Sequence, residues 1–238
     1  MLRLAVALFA ILVLLPTAEA ARTPVVVIDA GHDERGNSDT EPIGPGSSTR
    51  KIKDGGGTRG VISGLTEAEL NMRVAARLRS LLEGAGVRVL MTRTRTSGTS
   101  MGNIARARIA NQANAGLFLR IHADGASDSS VHGTHTLVPA WRDGWTDDIY
   151  GESARAGRLM QRALIARLGS TDRGIQERSD FTGFNWSDVP VILVEVGFMT
   201  NPAEDRALST PSYQRRAALG LCEGTLRFLR LPTSRCSA

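Results

Sequence analysis

Short apolar runs without polar alternation constrain the fold of this chain more than any other feature of its sequence. They lie at residues 25–30, 87–92, 117–122 and 191–196, and they are rich in valine, isoleucine and leucine. A strand that is buried on both faces has this pattern. The runs therefore predict strands of a sheet that other elements cover on both faces.

The segments between these runs have the spacing of amphipathic helices. Apolar residues recur every three to four positions from 70 to 81, and Thr66 followed by Glu69 forms a capping box. Further helices are predicted from about 152 to 168 and from Thr210 and Pro211 onward, where proline takes the first helical position. Strands that alternate with helices predict an α/β fold with a mostly parallel sheet.

The composition fits one globular domain. The 238 residues are 42% apolar and 22% charged, with a formal net charge of +5. This balance excludes a disordered or collagen-like chain. A basic chain is attracted to anionic surfaces such as cell-wall polymers, lipid head groups or nucleic acid.

The first twenty residues have the features of a secretory signal peptide. Arg3 precedes an apolar stretch from 4 to 15, and the sequence Ala18-Glu19-Ala20 offers a cleavage site between small residues. We expect cleavage of 1–20 and export of a domain at 21–238 to the periplasm or the cell wall; an uncleaved N-terminal anchor is the alternative. No other segment approaches the length of a membrane span, so we expect no stable membrane anchor.

Cys222 and Cys236 are the two cysteines of the chain. Export permits a disulfide between them, which would tie the C-terminal tail to the last helix. A reduced Cys222 at a buried helix position is equally compatible with the sequence.

The segment 33–64 interrupts the alternation of strands and helices. It holds eight glycines and two prolines and follows the first strand directly. Loops of this length inside a compact domain are usually functional or disordered. Ligands of α/β sheets bind beyond the carboxyl ends of the strands. We therefore expect a long Gly-rich loop at 33–64 that borders the functional site.

Two histidines and one glutamate are the candidates for chemistry. His32 follows the first predicted strand and His122 ends the run at 117–122, so on neighbouring parallel strands both imidazoles would project from one sheet edge. They are either metal ligands or acid–base groups, or else solvated loop residues. Glu195 lies inside the last apolar run, where an ionised carboxylate needs a partner. It either pairs with an arginine or acts as a general base whose pKa burial raises.

The other two histidines, His132 and His135, are either a local metal pair with His122 or part of a turn. We interpret them as a turn before a strand at 134–138, with His135 at the mouth of the site. The chain contains no H-E-x-x-H signature and no P-loop. A nucleotide-dependent enzyme has little support, and we expect no nucleic-acid partner.

Five segments carry a pattern that is more specific than any single residue. They read VIDAGH at 27–32, LTEAELN at 65–71, MTR at 91–93, AN at 110–111 with FLRIHA at 118–123, and VEVGFMTNP at 194–202. In this order and spacing they resemble the zinc-dependent N-acetylmuramoyl-L-alanine amidases of the amidase-3 type. The resemblance covers about residues 25–229.

The resemblance implies a fold, a cofactor and a reaction. The fold would be a twisted, mixed sheet of about six strands packed by helices. His32, Glu67 and His122 would hold Zn²⁺, and Glu195 would be the catalytic carboxylate. The reaction would be hydrolysis of the amide between the lactyl group of N-acetylmuramic acid and the L-alanine of the peptidoglycan stem peptide. Only the resemblance selects Glu67, since acids are common in the first turn of any helix.

Some features depart from the family pattern. Arg120 stands where a small polar residue is usual, and the loop at 33–64 is long. We expect basic loop residues, together with His135, to bind acidic groups of the stem peptide; a merely solvated basic loop is the alternative. These basic residues are Arg50, Lys51, Lys53 and Arg59.

Regulation and partners are also predicted. Only residues 140–151 separate the strand at 134–138 from the next helix, which is too short for a long inhibitory helix. We therefore expect a monomer that is active without an activator protein. The competing interpretations are a non-catalytic peptidoglycan-binding regulator and a zinc peptidase that cuts within the stem peptide.

Overall fold

The computed structural model describes residues 23–96 and 98–236, so the predicted signal peptide lies outside the described residues. Within these ranges, no helix is both long and apolar enough to cross a membrane. The strands are β1 (Val25–Ala30), β2 (Asn37–Pro42), β3 (Arg50–Asp54), β4 (Arg88–Met91), β5 (Leu117–Asp124), β6 (Thr134–Pro139), β7 (Asp172–Arg178) and β8 (Val191–Phe198). The α-helices are α1 (Glu67–Gly84), α2 (Asn103–Gln112), α3 (Tyr150–Leu168), α4 (Thr182–Asn185), α5 (Pro202–Leu208) and α6 (Pro211–Phe228).

Six strands form one sheet in the order β4-β1-β5-β8-β6-β7. Strands β4, β1, β5 and β8 run parallel, β6 is antiparallel to β8, and β7 is parallel to β6. The four apolar runs of the sequence are the four parallel strands. The expected burial on both faces holds for β1, β5 and β8, whereas β4 lies at the sheet edge and is only half-buried. The prediction of a single α/β domain with a mostly parallel, mixed sheet of about six strands is confirmed.

The two faces of the sheet have different coverings. Helices α1, α3 and α6 bury one face, where Leu70 and Met160 belong to the same apolar cluster as Leu119 of β5. On the other face, Phe184 of α4 packs into a smaller cluster with Phe118. Because side chains alternate along a strand, the residues at positions 120 and 122 share this second face with Phe118.

The segment 33–64 contains a hairpin of β2 and β3, which the sequence did not predict. Most hairpin residues are polar and exposed, so apolar alternation is absent. Polar contacts hold it instead. The Glu41 carboxylate accepts hydrogen bonds from the backbone N–H groups of Asn103 (2.7 Å) and Ile104 (3.3 Å) at the start of α2, and the Asn103 amide donates to the Lys53 carbonyl (2.7 Å). Strand β7 was missed for the same reason, because it is a mostly exposed edge strand.

A buried ion cluster lies at the carboxyl end of β1. Asp29 is fully buried; its Oδ1 pairs with Arg106 of α2 and its Oδ2 accepts from Arg120 Nε of β5 at 2.8 Å. The Thr92 hydroxyl donates to Oδ1 at 2.6 Å. Burial opposes ionisation of Asp29, but the two guanidinium groups outweigh it and hold the pKa of Asp29 far below its usual range.

A disulfide joins Cys222 of α6 to Cys236. Cys236 follows a 3-10 turn at Thr233–Arg235, so the bond fastens the C-terminal tail to the helix. Both residues are buried against the larger apolar cluster. Of the two interpretations of these cysteines, the structure shows the bridge.

Replacing Asp29 by Asn tests the ion cluster. The two buried guanidinium groups then lack their carboxylate, so we expect the free energy of unfolding to fall by on the order of 3–5 kcal/mol at pH 7 in urea titrations. Because the folded-state pKa is lowered, this stabilisation is present above the unfolded pKa of about 3.9 and is lost as the pH falls further. The difference between wild type and variant therefore shrinks below that pH.

Asp39 provides the matched control for this experiment. Its side chain is 74% exposed and pairs with Lys53 at 3.2 Å. Asp39→Asn changes the free energy of unfolding by less than about 1 kcal/mol, because exposed ion pairs contribute little. Equal losses for both variants would contradict the role of Asp29.

Removal of the disulfide gives a second prediction. We expect no reactive thiol in the unreduced, denatured chain and two after reduction, measured with a thiol reagent. The double variant Cys222→Ala with Cys236→Ala is expected to lose about 3 kcal/mol of unfolding free energy, as for a closed loop of about 15 residues. A wild-type chain with free thiols after oxidative folding would refute the bridge.

Candidate active site

A tight turn after β1 positions His32. The backbone of His32 has φ of 60°, a left-handed conformation that is uncommon for residues other than glycine. A Cβ at Gly31 would overlap the ring of His122, so only glycine fits there. The buried Arg93 guanidinium stabilises this turn by donating to the carbonyls of Ala30 (2.8 Å) and Gly31 (3.0 Å).

Glu67 is the first residue of α1 and is almost fully buried. Thr66 caps the helix as predicted, accepting from the Glu69 N–H at 3.2 Å. The Glu67 carboxylate accepts from the backbone N–H groups of Thr58 (2.9 Å) and Ala123 (3.2 Å). These bonds fix the carboxylate between the Gly-rich segment and the end of β5.

The structure brings His32, Glu67 and His122 together. Glu67 Oε1 lies 3.3 Å from His32 Nε2 and 2.9 Å from His122 Nδ1, and one donor atom from each residue lies within 4.8 Å of the others. Burial opposes ionisation of Glu67, but hydrogen bonds to the two imidazoles hold the pKa of Glu67 well below its usual range. Burial lowers the pKa of His122 and favours its neutral form.

This donor set fits a metal ion. Two imidazoles and a carboxylate are the ligands of a catalytic zinc site that keeps a further position open. His122 Nε2 is buried and has no hydrogen-bond partner among the residues at 23–96 and 98–236. The cluster can therefore take a further polar or cationic partner.

Asp54 is a site residue that the sequence reasoning missed. Its Oδ1 lies 2.5 Å from His32 Nδ1 and also accepts from the Gly56 N–H at 2.8 Å. A carboxylate behind a ligand imidazole fixes the orientation and basicity of the ring. Burial alone would lower the pKa of His32, but the hydrogen bonds to Asp54 and Glu67 raise it to about 9. The only sequence signal was an acid before three glycines in the loop.

Glu195 lies in the middle of the sheet beside this cluster. It is in register with His122 of β5 on one side and with His135 of β6 on the other. Its Oε2 is buried without a hydrogen-bond partner in the described part of the chain. Burial, followed by the negative charges of Glu67 and Asp124, raises the pKa of Glu195 well above its usual value. A buried carboxyl group beside two imidazoles is placed to accept and return a proton.

Three cavities meet at His32, with volumes of about 290, 360 and 170 Å³. We call them the hairpin cavity, the loop cavity and the lower cavity. The hairpin cavity lies between the sheet and the segment 180–182 and is lined by Lys51, Ile52, Asn103, Arg120, Asp180, Phe181, Thr182 and Leu193 besides His32, His122 and Glu195. The loop cavity includes Gly57, Thr58, Asp124, Gly125 and Thr200. The lower cavity includes Lys53, Asp54, Ser100, Arg106 and Arg120.

The predicted basic residues occupy different positions around these cavities. Lys51 lines the hairpin cavity and pairs with Asp180 at 2.5 Å, and Lys53 lines the lower cavity. Arg50 and Arg59 are exposed, and each has its guanidinium bonded to a neighbouring backbone carbonyl, at Thr40 (2.6 Å) and Gly64 (2.7 Å) respectively.

His135 is buried rather than at an open mouth. Its Nε2 lies 3.5 Å from Asp124 Oδ2, and its ring lies against Phe198 with centroids 5.7 Å apart. His132 is exposed and bonds the Ser130 carbonyl at 2.8 Å, so it lies in a turn before β6.

The family comparison covers most of the chain. The model of the family described as N-acetylmuramoyl-L-alanine amidase, amidase 3, matches residues 26–227. The chain is 30% identical over 219 residues to the N-acetylmuramoyl-L-alanine amidase LytC of Bacillus subtilis, covering 90% of this chain and 38% of that protein. An N-acetylmuramoyl-L-alanine amidase of Mycobacterium tuberculosis is 29% identical, with 86% of each chain covered.

Solved structures show the same fold. The N-acetylmuramyl-L-alanine amidase Ami1 of Mycobacterium smegmatis superposes with a TM-score of 0.79 at 26% identity, covering 87% of this chain and 97% of that one. The catalytic domain of CwlV from Bacillus (Paenibacillus) polymyxa gives 0.71 at 26% identity, with 88% and 100% covered. With its matching fold and a family match over residues 26–227, this chain belongs to the N-acetylmuramoyl-L-alanine amidase family of the amidase-3 type.

Proposed function

We propose that this chain is a zinc-dependent N-acetylmuramoyl-L-alanine amidase that cuts peptidoglycan. The bond cut is the amide between the lactyl group of N-acetylmuramic acid and the L-alanine of the stem peptide. The observation that carries the proposal is the convergence of His32, Glu67 and His122 within 4.8 Å, with Glu195 in register beside His122. Family membership supports the same reaction.

His32, Glu67 and His122 would hold the zinc ion. Bound zinc supplies a Lewis acid that polarises the scissile carbonyl and lowers the pKa of water to about 7. The protein contributes the orientation of these ligands. Asp54 holds the His32 ring, and the N–H groups of Thr58 and Ala123 hold the Glu67 carboxylate.

Glu195 would move the proton in this reaction. Its carboxylate accepts a proton from the attacking water and returns it to the nitrogen of the leaving L-alanine, which departs as a free amine. The raised pKa that burial produces suits both transfers. A carboxyl group that transfers a proton works without a permanent ion-pair partner. Glu195 Oε2 has no hydrogen-bond partner in the described part of the chain.

The substrate polymer lies outside the cytoplasm, so the proposal includes export by the segment 1–20 and a role in cell-wall remodelling or cell separation. Lys51 and Lys53 at the cavities, and the exposed Arg50 and Arg59, would attract the acidic stem peptide, and His135 would support the site beside Glu195. Turns occupy the stretch between β6 and α3 in the described chain. We therefore propose activity without an activator protein. We also propose that the chain acts as a monomer.

Product analysis of digested peptidoglycan tests the proposed function. The purified, zinc-loaded chain is expected to release peptides with free L-alanine amino termini and to leave peptide-free glycan, and a chelator should stop the release. New termini inside the stem peptide would instead identify a peptidase. Binding to peptidoglycan without any release would identify a regulator, and activity that appears only with a second protein would refute activator-free function.

Glu195→Gln separates catalysis from metal binding. The amide side chain keeps the size of the carboxyl group but cannot accept the proton, so we expect kcat to fall by a factor of at least about 100. Zinc content and thermal unfolding should stay at the wild-type values. Glu152→Gln, an exposed glutamate paired with Arg155 on α3, is the control and should retain wild-type activity. Full activity of Glu195→Gln would remove this residue from the mechanism.

Asp54→Asn tests the support of the metal ligands. Loss of the carboxylate behind His32 is expected to weaken zinc binding by about 10- to 100-fold, measured by competition with a chromogenic chelator. Activity should return when the zinc concentration is raised, because Asp54 positions a ligand and is not itself one. An unchanged zinc affinity would contradict this role.

A further inference from the structure

Arg120 presents a fixed guanidinium group in the wall of the hairpin cavity. Its side chain is 6% exposed, and its position is set by bonds from Nε to Asp29 (2.8 Å) and from Nη2 to Asn103 Oδ1 (2.7 Å). The backbone of Gly183 lies against the guanidinium, so a Cβ there would overlap Nη1. A guanidinium has five N–H groups, and these two bonds use only part of them within the described chain.

Two cationic side chains, Lys51 and Arg120, line this cavity together with the carboxyl groups of Asp180 and Glu195. The single carboxylate of Asp29 serves both Arg106 and Arg120. On the opposite wall, Asp180 serves both Lys51 (2.5 Å) and Arg178 (2.9 Å). Each carboxylate is therefore shared by two cations, so the positive charge of each cation is only partly neutralised. An anionic ligand in this partly desolvated cavity could form charge-assisted hydrogen bonds with these cations.

The loop cavity on the other side of the metal ligands differs. No lysine or arginine is present among its lining residues in the described chain, which are mostly small and uncharged, and Asp124 adds negative charge. An amide substrate that spans the centre thus meets two cationic side chains in the hairpin cavity and none among the lining residues of the loop cavity in the described chain. The anionic half of the substrate fits the hairpin cavity.

The distance along the sheet selects one group of the substrate. Arg120 lies two residues before His122 on β5, on the same face, which corresponds to roughly 7 Å. A peptide in extended conformation also advances about 3.3–3.6 Å per residue. A stem peptide that ran along β5 from the scissile bond would therefore bring its second residue, which carries the free α-carboxylate, close to Arg120.

We propose that Arg120 is a specificity residue that binds the free α-carboxylate of the second residue of the stem peptide in the hairpin cavity. This inference rests on the proposed amidase function and adds the direction in which the substrate lies. The peptide occupies the hairpin cavity, and the uncharged glycan occupies the loop cavity.

Two muramyl peptides that differ in one group test the proposal. In one, the second residue carries a free α-carboxylate; in the other, the same position carries a carboxamide. The wild-type, zinc-loaded chain is expected to cleave the carboxylate substrate with a kcat/KM about tenfold higher or more, because charge-assisted hydrogen bonds are roughly twice as strong as neutral ones. The difference should lie mainly in KM.

Substitutions at Arg120 assign the preference to this residue. Arg120→Gln should bring the ratio of the two kcat/KM values to about 1, and Arg120→Lys should retain part of the preference. Asp29 keeps Arg106 in both variants, so no buried carboxylate is left unpaired. Arg106→Gln is the matched control, since Arg106 shares Asp29 and lines the lower cavity but not the hairpin cavity. It should lower stability and leave the ratio at the wild-type value.

The outcomes separate this proposal from the proposed function. If the wild-type chain cleaves both peptides with equal kcat/KM, Arg120 does not read the carboxylate, although the amidase function stands. A preference that persists in Arg120→Gln also overturns the proposal. If neither peptide is cut at the lactyl amide, the proposed function fails and this inference fails with it. If Arg120→Gln does not fold, the ratio of the two kcat/KM values still tests the proposal when it is measured for the wild-type chain and for Arg120→Lys.

Discussion

The buried carboxylate of Asp29 organises the part of the molecule on which the site depends. It sits at the end of β1, three residues before His32, and connects α2 through Arg106, β5 through Arg120 and the end of β4 through Thr92. Without the Asp29 carboxylate, burial of two unpaired guanidinium groups would lower the free energy of unfolding. The cluster therefore fixes the relative positions of the elements that carry His32 and His122, and it holds the Arg120 guanidinium in the wall of the hairpin cavity.

The site combines residues whose backbone is rigid with residues that come from the polar hairpin. His122 and Glu195 lie on adjacent buried strands, so hydrogen bonding within the sheet sets their spacing. Glu67 is fixed by the first turn of α1 and by two backbone N–H groups. Asp54 and Lys51 instead come from β3, which polar bonds to α2 hold over the sheet. The proposed metal ligands and Glu195 thus lie on or beside the central sheet and α1, and the hairpin adds Asp54 and part of the cavity wall.

Sequence reasoning succeeded where local pattern and burial agree. The runs at 25–30 and 191–196 could be recognised as buried strands because both faces are apolar. Glu195 could be recognised as a candidate because an ionised carboxylate in such a run is costly to bury without a partner. The hairpin and Asp54 could not be predicted in the same way. Strands β2 and β3 are stabilised by Glu41 and Asn103 through contacts with a helix about fifty to sixty residues away, and such contacts leave no periodic signal.

The sequence by itself determined the α/β class, the strands that form the parallel core, the capping of α1 and the presence of histidines at two strand ends. Its resemblance to a family supplied Glu67. Only the tertiary structure decided that His32, Glu67 and His122 converge and that Asp54 orients His32. It also decided that the Arg120 guanidinium lines the hairpin cavity. The physical reason is that apolar periodicity is a local property of the chain, whereas convergence of polar groups depends on strand order, register and the sharing of buried charges between distant segments.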